Sequence, residues 1–146
     1  MTPIGTIGLC SGYMNPIHRG HIEYLQKSKT MVDKLILIIN NDNQARLKKG
    51  WTFMDENERM IIAKELKSVD EVFLSIDQDP TIIESIKYIA SKYPNPMYFL
   101  KGGDRSLDLG NIPEAPICEE LGIIILDGMG EKIQSSTYLI SEAQGK

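Results

Sequence analysis

GYMNPIHRGHIEYL, Gly12 to Leu25, follows the apolar run IGTIGLC of Ile4 to Cys10 and decides how the chain is read. It carries His18 and His21, the only two histidines among 146 residues, with Gly20 between them. If a strand hands over to a helix here, both imidazoles sit at a helix N-terminus, where unpaired N–H groups and a partial positive charge favour an anion. Gly20 lets backbone and ligand approach closely. Two imidazoles can donate hydrogen bonds to phosphate oxygens, more strongly when protonated, and offset charge that builds during transfer. On spacing alone, one core histidine and one solvated histidine is the commoner arrangement. A metal pair is disfavoured, because no third histidine or cysteine cluster completes a transition-metal site.

Outward from this stretch, apolar runs alternate with helix-period segments, the pattern of successive strand and helix units in an α/β fold. Residues 4–9 read as a strand, 20–31 as a helix with Ile22, Leu25 and Ser28 facing inward, and KLILIIN (34–40) as a strand buried on both faces. The polar, partly basic NDNQARLKKGWTF (41–53) lacks a sustained period and reads as a loop. Asp55 caps a helix that runs to about residue 67, with Glu58 three residues on and Met60, Ile61, Ala63, Lys64 and Leu66 along a mixed apolar face. VDEVFLS (69–75) is a third strand, Thr81 to Lys92 a helix, and MYFLKGG (97–103) a fourth strand. Pro113 to Leu121 is a short helix broken by Gly122, IIILD (123–127) a fifth strand, and SSTYLISEA (135–143) a helix opened by hydroxyl residues. One Rossmann-like, doubly wound parallel sheet of about five strands accommodates residues 1–146 as a single domain.

The totals narrow the partners. An apolar content of 42% and a charged content of 25% are ordinary for a globular domain, and no run approaches the ~20 apolar residues of a membrane span. MTPIGTIGLC lacks a basic leader, so a cytoplasmic location is expected, without membrane attachment. A net charge of -4 argues against nucleic acid as a partner, so phosphate recognition has to be local. Cys10 and Cys118 are too few for a disulfide framework and read as reduced core residues.

In an open parallel sheet, ligands gather beyond the carboxyl ends of the strands. Three polar clusters fall there: NPIHRGH (15–21), KGGDRS (101–106) and GEKIQSST (130–137). Ser135, Ser136 and Thr137 form a redundant N-cap or hold a polyphosphate, with Lys132 adding charge. Asp104 and Arg105 make a surface ion pair on a glycine turn or line a nucleotide loop. Arg46, Lys48 and Lys49 are a solvated charge run or close over an anionic substrate, with Trp51 as a lid. Arg59 reads as a surface residue beside Glu56 or Glu58.

GYMNPIHRGHIEYL resembles the HxGH signature of the nucleotidyltransferase superfamily that includes glycerol-3-phosphate cytidylyltransferase, the nucleotidyltransferase domain of ADP-heptose synthesis and phosphopantetheine adenylyltransferase. KIQSSTYLI resembles that superfamily's ISSTxLI-type second signature, and KKG, ENER, SVDEV and KGGDRS fall between the two in the cytidylyltransferase order. The resemblance implies an enzyme in which a phosphorylated polyol or sugar attacks the α-phosphorus of a nucleoside triphosphate in line, with magnesium pyrophosphate leaving. His18 and His21 would contact the triphosphate, Lys48 or Lys49 would supply charge, and Arg59 would help hold the nucleotide. Gly12, Tyr13, Met14, Asn15 and Gly20 would surround the nucleotide; Lys101, Gly102, Gly103, Asp104 and Arg105 would line the base and ribose. Gln134, Ser135, Ser136 and Thr137 would grip the β and γ phosphates, which would also carry the Mg2+. CTP is favoured as donor by element order, ATP being the alternative because KGGD also occurs in the heptose adenylyltransferases. Asn15 stands where the family commonly has aspartate, and Met14 replaces an aromatic. A non-catalytic nucleotide-binding module is the rival reading, and a homodimer along the VDEV strand is expected in either case.

Overall fold

The computed structural model describes residues 5–50, 52–102 and 112–129, apart from the side chains at 49 and 127–129. KLILII is the plainest case of sequence dictating structure: six residues too apolar for either face to meet water form β2, Lys34–Ile39, at the interior of the sheet. Beside it lies β1, Ile7–Gly12, in parallel register from Ile7 opposite Lys34 to Gly12 opposite Ile39. The other strands are β3 (Glu71–Leu74), β4 (Met97–Gly102) and β5 (Ile124–Met129), and the order across the sheet is β3-β2-β1-β4-β5, all parallel. This is the doubly wound arrangement expected from the sequence.

The helices are α1 (Arg19–Lys29), α2 (Asp42–Lys49), α3 (Glu56–Lys64), α4 (Ile83–Lys92) and α5 (Ala115–Leu121). Alternate residues of β2 feed two cores. Leu35, Leu37 and Ile39 pack with Leu25 and Ala63, whereas Ile36 and Ile38 pack with Ile86, Ile89 and Cys118. Each such side chain, fully withdrawn from water, contributes about 1.5–3 kcal/mol. Cys10 and Cys118 are free, buried thiols, and burial pushes each up to about 11. Among the described residues no helix is long and apolar enough to cross a membrane.

Several expectations are corrected. β1 starts and ends three residues later than 4–9, because the small residues Ser11 and Gly12 continue the ladder against Ile38 and Ile39. The stretch 41–53 is not all loop: Asn41 and Gln44 form a reciprocal capping box, Gly50 closes the other end in a left-handed turn (φ 83°), and α2 forms between them. Of the apolar face expected for α3, Ala63 is buried but Ile61 is 65% exposed, and Arg59 is buried as well. β5 runs two residues past IIILD. The segment SSTYLISEA lies outside the described residues.

Strand order reverses direction between β1 and β4, and an open sheet opens its crevice at that point. The Tyr24 phenol of α1 fastens both strand ends there, donating to the Leu100 carbonyl (2.6 Å) and accepting from the Ser11 N–H (3.2 Å). The sheet thus delivers the β1–α1 connection to the switch point and locks it in place.

Candidate active site

The connection from β1 to α1 turns sharply at Met14, which adopts a left-handed backbone (φ 51°). Such a conformation costs a non-glycine residue about 1–2 kcal/mol. Burial of the Met14 side chain, 2% exposed in the core beside Leu25 and Ile39, offsets it. The turn puts Tyr13 and Asn15 at the wall of a cavity of about 330 Å³, which they share with Met14, His18, His21 and Lys48. Pro16 and Ala45 complete the lining, and neither was anticipated from the sequence.

The histidines are built as a pair. His18 is the N-cap of α1, its Nδ1 accepting from the Gly20 N–H at 3.1 Å; His21 Nδ1 reaches back to accept from the His18 N–H at 3.0 Å. Their ring centroids are 4.0 Å apart. A nitrogen that accepts carries no proton, so each ring is left with Nε2–H as its donor. The N–H groups of the N-cap His18 and of Gly20 in the first turn are therefore used by the rings. A backbone N–H donating into an imidazole also polarises the far N–H, making it a better donor. Burial, and secondly the neighbouring His18, hold His21 down from 6.5 to about 4. His21 is thus a neutral donor at physiological pH, without the added strength of a protonated ring.

The reason for Gly20 is also on view. A Cβ there would lie 3.0 Å from His18 Cε1 and 3.2 Å from its Nδ1, inside ordinary contact distance. Glycine makes room for the capping ring.

Lys48, on the last turn of α2, brings the charge, with its Nζ 4.9 Å from the Tyr13 ring centroid. The helix is anchored by Gln44, whose Nε2 donates to the Asp79 carbonyl (2.6 Å) and the Thr81 carbonyl (2.8 Å) while Oε1 accepts from the Asn41 N–H (2.9 Å). Asn41 Nδ2 donates to the carbonyls of Ser75 and Asp77. The Asn41-x-x-Gln44 spacing is a legible capping-box signal that the absence of apolar period obscured.

Arg59 is the largest correction. It is 1% exposed, not a surface residue. Its Nε donates to the Met54 carbonyl (2.8 Å), Nη1 to those of Tyr13 (2.8 Å) and Asn40 (2.6 Å), and Nη2 to Asp42 Oδ1 (2.8 Å). One planar fork therefore ties the ends of β1 and β2 to the lead of α3. This use of the guanidinium fixes the cavity wall. Asn15 adds a second tie to the same lead, its Oδ1 accepting from the Met54 N–H at 2.7 Å and its Nδ2 lying 3.5 Å from Thr52 Oγ1.

The remaining anticipated residues divide in two. Gly12 ends β1, where an added Cβ would strike Met14 Cε at 2.9 Å, and Lys101 and Gly102 end β4 on the other side of the switch point. Gly103, Asp104, Arg105, Gln134, Ser135, Ser136, Thr137, Lys132 and Trp51, with the Lys49 side chain, lie outside the described residues. Among the described residues no three His, Cys, Asp or Glu side chains gather as a metal-holding cluster.

A family model described as cytidylyltransferase-like matches residues 9–139. The chain belongs to the cytidylyltransferase-like family. Its relatives include an FAD synthase of Thermoplasma acidophilum, 36% identical over 78 residues, which are 52% of this chain and 55% of that protein. They also include the bifunctional protein HldE of Pelobacter propionicus, 30% identical over 138 residues, covering 93% of this chain and 24% of that protein. The chain thus spans about half the length of the FAD synthase it matches and about a quarter of HldE. A solved structure of a lipopolysaccharide core biosynthesis protein from Thermoplasma volcanium superposes with a TM-score of 0.69 at 25% identity, covering 89% of this chain and 98% of that one. These likenesses place the chain in that family and give it the Rossmann-like fold of the solved relative.

Proposed function

We propose that the cavity binds the phosphates of a nucleoside triphosphate and transfers the nucleotidyl group to a phosphorylated acceptor. The observation that carries this is the mutual capping of His18 and His21, which leaves two Nε2–H donors beside the Lys48 ammonium at the switch point of the sheet. At about 330 Å³ the cavity is at the small end for ligand sites, a size suited to phosphates while base and acceptor are met by neighbouring segments.

An acceptor phosphate oxygen attacks the α-phosphorus, the bond from that phosphorus to the oxygen bridging to the β phosphate breaks, and pyrophosphate departs with magnesium. No covalent enzyme intermediate forms. The chain supplies position and charge: the imidazole donors stabilise the crowded phosphorus centre, and Lys48 offsets charge on the oxygens. Arg59 and Asn15 hold the wall that orients these groups. Within this proposal Gly102 to Arg105 and Lys101 line the base and ribose, Gln134 to Thr137 grip the β and γ phosphates, and Lys49 assists Lys48. A homodimer is part of the same reading.

For the donor we favour ATP, because the FAD synthases are named for a product that contains adenine, and this changes the preference drawn from element order. CTP is the second reading, supported by the order of the segments along the chain. The test is pyrophosphate release with ATP or CTP, magnesium and a panel of phosphorylated acceptors, including polyol phosphates, sugar phosphates and a flavin phosphate. Turnover with one pair, lost in His18→Ala, supports the proposal. Tight triphosphate binding without product over the whole panel supports a non-catalytic module.

A further inference from the structure

Lys48 has a long side chain near the end of an exposed helix, where an ammonium is ordinarily mobile. Its Nζ is nonetheless held 4.9 Å from the centroid of the Tyr13 ring, within the range of cation–π attraction. Among the described residues no carboxylate forms an ion pair with it. The backbone that carries the ring is fixed. The Tyr13 carbonyl accepts from buried Arg59, and the next residue is locked by its left-handed backbone and buried side chain.

We propose that Tyr13 is a positioning residue that acts through Lys48: its face holds the ammonium in the cavity, and the cation's outer side is left to a phosphate. An ammonium has three N–H donors, so it can rest on the ring and still donate outward. Ordering a free lysine costs side-chain entropy, and the ring meets part of that cost before the ligand arrives. The inference rests on the triphosphate reading above and assigns Tyr13 a specific part in it. An exposed cation–π contact corresponds to about a two- to fivefold change in affinity.

The experiment is a calorimetric titration of magnesium ATP, without acceptor, into the wild-type chain, Tyr13→Leu, Tyr13→Phe, Lys48→Met and the double variant Tyr13→Leu/Lys48→Met. The inference expects Tyr13→Leu to weaken binding about two- to fivefold, Tyr13→Phe to recover most of that loss, and Tyr13→Leu to have no further effect once Lys48 is methionine. In turnover the loss would appear in kcat/KM. Equal weakening in both backgrounds would mean that the ring touches the nucleotide directly, and would overturn the inference. So would tighter binding by Tyr13→Leu, or a phenylalanine variant as weak as leucine. A wild-type chain that binds ATP with an additive cycle sinks only the part given to Tyr13. A wild-type chain that binds neither ATP nor CTP sinks the cavity reading as well.

Discussion

Gly20→Ala separates the stability of α1 from the placement of the His18 ring. The new methyl would meet Cε1 at 3.0 Å and Nδ1 at 3.2 Å, so the ring has to shift by a few tenths of an ångström and its 3.1 Å bond to the Gly20 N–H lengthens. Loss of an N-cap bond costs about 0.5–2 kcal/mol. Replacing glycine by alanine in a helix returns up to about 1 kcal/mol. The two nearly cancel, and melting should move by no more than a few degrees for a chain of this length. Turnover has no such compensation, because a catalytic group misplaced by about 1 Å can cost about 10²-fold. A shift of a few tenths should cost about tenfold, bounded by the ~10²–10³-fold expected for His18→Ala. The assay is a thermal melt beside kcat/KM from pyrophosphate release. Full activity with an unchanged melt would refute the claim that Gly20 is there to seat the imidazole.

Arg59→Ala should destabilise the chain by about 3–5 kcal/mol in a urea titration, since it takes the guanidinium donor from the Tyr13 and Asn40 carbonyls, leaves Met54 with Thr52 alone and strips Asp42 of its cation; Arg59→Lys should recover only part, because an ammonium cannot span the four acceptors. Gln44→Leu should cost about 2–3 kcal/mol in the same titration by stranding the carbonyls of Asp79 and Thr81, and an unaltered midpoint would show that α2 is anchored elsewhere. Because the folded pKa of His21, about 4, lies below its ordinary 6.5, the unfolded chain takes the proton first as pH falls. The stability that neutral His21 contributes is therefore complete above about 6.5 and declines as pH drops through that window towards about 4. A His21 resonance, assigned by its absence from His21→Gln, titrating above 6.5 in an NMR series would contradict this.

Much of the framework was legible because it rests on burial. Doubly apolar KLILII has nowhere to go but the middle of a sheet, and Asp55 with Glu58 marks the start of α3 by capping chemistry alone. The histidine pair was legible as a phosphate candidate from its placement after a strand. Its internal construction was not, because which N–H each Nδ1 accepts depends on how the turn at Met14 folds. Helix α2 was hidden because its stability comes from Gln44 bonding to a distant loop, a contact that adds no apolar rhythm to NDNQARLKK. Arg59 was misplaced for a related reason. An arginine enters a core only where several carbonyls converge, and here they come from segments 13, 40 and 54, far apart in sequence.

The most direct measurement is a crystal structure with a non-hydrolysable ATP or CTP analogue and magnesium. The two Nε2 atoms and Lys48 Nζ should each lie within hydrogen-bonding distance of phosphate oxygens in the cavity beyond β1. Phosphates bound elsewhere on the sheet, with the imidazoles facing only water, would contradict the account.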